Sequence, residues 1–312
     1  MAAVAPVSPP QKSTTVRTPA APRLLRAAFA IGSLVMPEAT VRRASRLFGT
    51  PMASSRSRAL AAEAGDARVG EVMSEGHAVA TYTWGDPATQ PYVLFSHGWS
   101  SFGLRCRPWI APLREAGYAV VAFDHPGHGR NEGGRAILPS FAAALAAVAR
   151  PHGAPAALVA HSMGGAAALL ALSAGLRAGH VVLVAPAADL RAAGGRFGRM
   201  IGLAPPLVAR MFEGFERQIG LPVDSFAAQH HAPRMAAPAL VVHDLEDDDV
   251  PWEEGERYAR LWPGARLLST TGLGHHRIAG DATVIEAALR FLRGEAVGER
   301  VVSSPNLTFG FE

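Results

Sequence analysis

The chain has 312 residues, 49% of them hydrophobic and 18% charged, the composition of a soluble globular protein with room for one large domain carrying insertions or for two small ones. No run of about eighteen uncharged apolar residues occurs, which excludes an expected membrane-spanning helix. The net charge of +4 is uneven: nine basic residues and one acidic residue up to Arg58 give +8 there, leaving −4 for the rest, and without basic–aromatic interleaving a nucleic-acid groove is excluded too.

Residues 1–22 are Ala, Pro, Ser and Thr with almost no large apolar side chain, and they read as a disordered leader. Residues 23–69 read as an N-terminal helical segment. Leu24, Ala28, Ile31 and Val35, then Val41, Leu47 and Phe48, recur at helical spacing and break at Pro37. Arginines precede the apolar stretch 27–36 as in a signal peptide, but that stretch is short, starts late and lacks a small-x-small cleavage site. An amphipathic helix packed on the domain is the favoured reading. The alternative is an Arg-rich helix in peripheral contact with an anionic membrane. Cys106 is the single cysteine and cannot form an internal disulfide, so a reducing, cytoplasmic location is expected.

After a polar connector, residues 70–84 alternate as a β-hairpin with its turn at Gly76-His77. Further strands are predicted at 92–95, 119–123, 156–160, 180–185, 239–243 and 265–270. Helices are predicted at 108–116, 140–150, 166–176, 253–261 and 282–292. Short apolar runs alternating with helices of about ten residues predict an α/β fold, a mostly parallel sheet covered on both faces, with ligands beyond the carboxyl ends of the strands. Between Pro186 and Pro238 the rhythm breaks into one or two apolar helices interrupted at Pro205-Pro206.

The stretch Leu158-Val159-Ala160-His161-Ser162-Met163-Gly164-Gly165 reads as a strand, a sharp turn and a helix, with the serine hydroxyl exposed at the turn. It resembles the nucleophile elbow of the α/β-hydrolase family, Gly-x-Ser-x-Gly, with Ala160 in place of the first glycine. The resemblance covers about residues 70–293 and implies a core in two parts, 70–186 and 238–294, with residues 187–237 as a helical cap over the active site and a tail at 295–312. It implies Ser162 as nucleophile. Asp247 is the acid within His243-Asp244-Leu245-Glu246-Asp247-Asp248-Asp249-Val250-Pro251. His275 is the base of Gly274-His275, with His276 as the other candidate. Met163 and Trp99 would supply the oxyanion amides, Gly98 and Gly164 allow close backbone approach, and His97 holds its loop.

The segment from Asp124 to Asn131 resembles the family's Asp-x-x-Gly-x-Gly-x-Ser loop and takes a structural role. Metal ligation by Asp124, His125 and His128 fits no zinc or di-metal spacing, and neither metal nor cofactor is expected. The implied activity is hydrolysis of a small-molecule carboxylic ester through an acyl-enzyme, in an apolar capped pocket without a charged signature. Amide, peptide, thioester and lactone substrates stay open, as does a binding protein of the same fold. Serine at the elbow argues against the dehalogenases and epoxide hydrolases, which use aspartate there. Oligomeric state and natural substrate leave no sequence signal.

Overall fold

The computed structural model describes residues 23–301; the expected leader and the last eleven residues of the expected tail lie outside the described residues. Three helices lead: α1 (Arg23–Val35), α2 (Pro37–Phe48) and α3 (Ala53–Ala61). The last of these replaces the polar connector expected from sequence, since Ser55 and Ala59 turn inward while its arginines stay outside. The hairpin follows, β1 (Arg68–Ser74) and β2 (His77–Trp84), paired so that Ser74 faces His77. Its turn is Glu75-Gly76, one residue earlier than expected, with φ of 48° and 80°, the two positive values that a tight hairpin turn demands.

The chain then alternates: β3 (Tyr92–Ser96), α4 (Arg107–Glu115), β4 (Ala119–Phe123), α5 (Leu138–Ala149), β5 (Ala157–His161), α6 (Met163–Ser173) and β6 (His180–Val184). The insertion comes next, α7 (Leu190–Ile201), α8 (Pro205–Ile219) and the short α9 (Ala228–His231). The closing elements are β7 (Ala239–Asp244), α10 (Trp252–Leu261), β8 (Arg266–Thr270), a single turn α11 (Gly274–Arg277) and α12 (Ala282–Leu292). All eight strands form one sheet in the order β1-β2-β4-β3-β5-β6-β7-β8. From β4 to β8 every pairing is parallel, while β1 and β2 run antiparallel at one edge.

Central strands are apolar on both sides because both sides are covered. Leu94, Val121 and Leu158 meet α5, α6, α9 and α10 through Leu145, Leu169, Ala228 and Tyr258. Val93, Val120 and Val159 meet α3, α4 and α12 through Ala59, Trp109 and Ile285.

The insertion departs from expectation in one respect that bears on the site. The interruption expected at Pro205-Pro206 falls at residues 202–204, and Pro205 starts α8, its missing N–H falling where no helical partner exists; the departure lies in what the two helices cover. The apolar faces of α7 and α8 pack against α1 and α2: Phe29 and Ala44 join Ile201, Leu207, Met211, Phe212 and Phe215. The Phe48 ring sits 5.1 Å from Phe197 and 5.9 Å from Phe212. A buried pair, Arg196 to Glu254 at 2.5 Å, fastens α7 to α10. Phe212→Ala is expected to cost about 3–5 kcal/mol, as for any large aromatic removed from a closed cluster, read from the shift of the urea midpoint.

Candidate active site

β5 ends at His161, and the chain reverses into α6 within one residue. Ser162 takes φ 55°, ψ −125°, a region that a side chain occupies at a cost of about 1–3 kcal/mol. Neighbours hold it there. The Ser162 N–H bonds the Val184 carbonyl at 3.0 Å, and its own carbonyl accepts from Gly165 at 2.9 Å. A Cβ at position 164 would stand 2.5 Å from the Ser96 carbonyl oxygen, so only glycine lets α6 start against β3. The helix therefore begins directly behind the serine, three residues before the start predicted from sequence.

Ser162 Oγ lies 2.9 Å from His275 Nε2, and His275 Nδ1 lies 2.7 Å from Asp247 Oδ2. With a carboxylate facing Nδ1, the proton sits on that nitrogen and Nε2 accepts from the serine. Asp247 is held in turn: its Oδ1 accepts from the Asp249 and Val250 amides at 2.9 and 2.8 Å. The buried His243 Nε2 donates to the Val250 carbonyl at 3.0 Å and stands 3.3 Å from Asp247 Oδ2. Burial alone would raise the Asp247 pKa, but hydrogen bonds from His243, His275 and the backbone outweigh it and hold the carboxylate well below its ordinary value.

α11 carries His275 to the serine, and two contacts fix it there. His161 Nε2 donates to the His275 carbonyl at 2.9 Å. Asp244, placed where the family pattern has glycine, accepts from Glu246, Thr270 and Leu273 and ties the β7 and β8 loops together. His276 is exposed and pairs with Asp249 at 3.2 Å, while His275 is the imidazole that faces Ser162. Asp248 is exposed.

The loop after β3 supplies the remaining pieces. An ideal Cβ on Gly98 would come 2.8 Å from Ser162 Cβ, so the backbone there lies directly against the serine. His97 Nε2 accepts from the His125 amide at 2.9 Å, which leaves Nδ1 protonated to donate to the Gly98 carbonyl at 2.8 Å. In a trans peptide the carbonyl and the following N–H point in opposite directions, so this bond turns the Trp99 N–H away from His97. Neither the Trp99 nor the Met163 amide donates to an acceptor among the described residues. His97 is thus a loop-holding group, and burial presses its pKa down to about 4.

Beside it, the His125 ring stacks on Phe141 at 3.8 Å, and His128 packs edge-on to Trp99 at 4.8 Å. Burial, reinforced by the neighbouring His97, lowers His125 well below its ordinary value and His128 to about 3. Asp124 is fully buried and accepts from Gly103, Tyr82 and Arg130, while Asn131 bonds the Asp124 and His125 carbonyls. No group of three or more metal-ligating side chains occurs among the described residues.

A cavity of about 280 Å³ opens over Ser162. Its walls include Phe95, Phe102, Trp109 and Val184, with Met52 and Arg58 from the N-terminal segment and Arg105 and His276 at the rim. Two sequence expectations are corrected here. No residue of 187–237 lines this cavity, because the apolar face of that insertion is already filled by α1 and α2. Nor is the lining free of charge, since two arginines contribute to it. Sequence reading missed both arginines, and the only signal for either was the excess of basic residues near the front. It also missed His161 and His243 as orienting groups; their places beside the serine and four residues before Asp247 were visible, but not their partners.

Comparison with known proteins agrees with this architecture. Residues 87–219 match a family model described as serine aminopeptidase, S33. Among solved structures, the esterase RhEst1 from Rhodococcus sp. ECU1013 is 19% identical, with a TM-score of 0.56 over 73% of this chain and 99% of that one. Alpha/beta hydrolase domain-containing protein 10 from mouse is 17% identical, with a TM-score of 0.58 over 73% and 97%. A membrane phospholipase A described as a bacterial virulence factor is 19% identical, with a TM-score of 0.57 over 87% of this chain and 96% of its own. No curated protein matches the chain by sequence. The eight-stranded sheet and the serine turn at the end of β5 give this chain the α/β-hydrolase fold, with the family model matching its residues 87–219.

Proposed function

We propose that the protein is a serine hydrolase that cleaves a carboxylic ester through an acyl-enzyme. The observation that carries this reading is the continuous chain of hydrogen bonds from Ser162 Oγ through His275 to Asp247, opening on a cavity lined by Phe95, Phe102, Trp109 and Val184 as well as by two arginines. His275 takes the serine proton as the hydroxyl attacks the carbonyl carbon, and Asp247 steadies the resulting imidazolium. The oxyanion is received by the Met163 and Trp99 amides, two preorganised donors that contribute several kcal/mol. His275 then protonates the departing alcohol, and a water attacking by the same route releases the acid.

Neighbours of known structure are named esterases, which favours an ester over an amide. The matched family name suggests an aminopeptidase, but among the described residues no carboxylate lines the cavity to receive a substrate ammonium. A binding protein of this fold is the less favoured alternative, since every position of the serine–imidazole–carboxylate chain is occupied. A cytoplasmic location belongs to the same reading and rests on the lone buried thiol of Cys106, whose pKa burial pushes up to about 12.

The test is turnover of p-nitrophenyl butyrate together with labelling by a fluorophosphonate probe, mapped to the modified peptide. Labelling at Ser162, with turnover that disappears as labelling completes, is the expected result; a folded protein that neither labels nor turns over removes the proposal. A narrower expectation concerns His97. His97→Ala should lower kcat by up to about 100-fold with KM nearly unchanged, because the Trp99 amide is no longer held for the transition state while ground-state contacts persist.

A further inference from the structure

Helix α1 has two apolar faces, and among the described residues only one of them is packed. Leu25, Phe29 and Gly32 turn toward the helical layer. Leu24, Ala27, Ala28, Ile31, Leu34 and Val35 form a second stripe at three- and four-residue spacing, and all six are exposed, Leu24 at 86% and Leu34 at 85%. Met36, Leu47, Met52 and Leu60 continue the series, so most of the large exposed hydrophobic side chains among the described residues fall within residues 23–61.

The charge around this stripe has one sign. Arg23, Arg42, Arg43 and Arg46 are exposed, and none pairs with a carboxylate among the described residues. The single acidic residue of the segment, Glu38, is already engaged by Arg210. An apolar stripe on a short helix beside unpaired arginines is complementary to a surface that offers acyl chains below a plane of negative charge. α1, at 13 residues, is too short to span such a layer, and no helix among the described residues is long and apolar enough to cross a membrane.

We propose that the outer face of α1, with the arginines of α2, docks the protein onto an anionic lipid bilayer. The stripe enters the acyl boundary while Arg42, Arg43 and Arg46 lie among the headgroups. The same segment reaches the candidate active site, since Met52 and Arg58 line its cavity. Docking therefore bears directly on the rim through which a substrate enters.

The test is co-sedimentation of the full chain with phosphatidylglycerol vesicles and with phosphatidylcholine vesicles, at low and at 0.5 M salt. Binding to the anionic vesicles, at least ten times weaker on the neutral ones and reduced by salt, is expected. Ile31→Glu with Leu34→Glu should remove it, and Arg42→Ser with Arg43→Ser and Arg46→Ser should weaken it and flatten its salt dependence. The second set touches no apolar contact and keeps the test open if the first fails to fold. Ser162→Ala should bind as well as the parent chain, which separates docking from the hydrolase reading. Absence of binding to phosphatidylglycerol, or equal binding to both lipids that survives Ile31→Glu with Leu34→Glu, overturns the proposal. So does a dimer that this double variant splits without changing vesicle binding, which would make the stripe a contact between two copies.

Discussion

Ser162→Ala is expected to lower kcat for p-nitrophenyl butyrate by about 10⁴–10⁶-fold, the loss seen when an activated nucleophile is deleted. His275→Ala should fall within about tenfold of the same value, and the double variant should lose little more, because nucleophile and base act as one unit. Asp247→Asn should cost about 10⁴-fold by a different route. Its amide nitrogen would face His275 Nδ1, displacing the proton toward Nε2 and leaving nothing to accept from Ser162. Ser162→Ala keeps the same backbone and the same glycine neighbours, so its Tm should stay within a few degrees of the parent. Steady-state turnover at pH 7.5 and a thermal melt on each variant provide the check. Losses that multiply, or activity retained in either single variant, would mean that the 2.9 Å contact between the hydroxyl and the imidazole is structural.

The second large effect is in stability against acid. His97, His125, His128 and His161 are neutral inside the fold, with pKa values pressed to about 4 for His97 and about 3 for His128 and His161, and far down for His125, in each case chiefly by burial. Unfolded, each binds a proton near pH 6.5. Below that pH the unfolded chain carries more protons than the native one, so stability falls as pH falls. Each imidazole contributes a slope approaching about 1.4 kcal/mol per pH unit, and four together rival the ~5–15 kcal/mol that a domain possesses.

Asp124, raised by burial, works in the opposite direction, but it is one group against four. Asp247, held low, keeps its stabilising contribution throughout this window. A Tm level above pH 7 that drops steeply between pH 6 and 4 is expected, and His125→Phe, which keeps the stack on Phe141, should shallow the drop by about one proton. A Tm flat from pH 7 to 5 would contradict the buried neutral cluster.

The sheet was legible in the sequence because each strand is a short apolar run between turn residues, and strand ends moved by only a residue or so. The turn at Ser162 was legible because its backbone permits few residue types: small at 160, glycine at 164. Asp247 and His275 were singled out through local patterns at strand ends, and the structure brings both side chains into line with the serine. The role of the insertion was not legible. A helix pair covering a cavity and a helix pair covering two other helices present the same apolar stripe, and only the partner tells them apart. The His97–Gly98–Trp99 arrangement was visible as residue types, but the bond that turns the Trp99 amide depends on which imidazole nitrogen His125 occupies.

The helical layer joins segments at opposite ends of a long stretch of chain, with Phe29 in one cluster with Phe48, Phe212 and Phe215. During synthesis on the ribosome, α1 and α2 therefore emerge long before α7 and α8 are made. At roughly 5–20 residues per second, about 10–35 s pass before residue 215 is translated. Through that interval the outer stripe of α1 and the surface that α7 and α8 later cover are bare, and a chaperone or a lipid surface that receives them meets the protein before β7 and β8 exist.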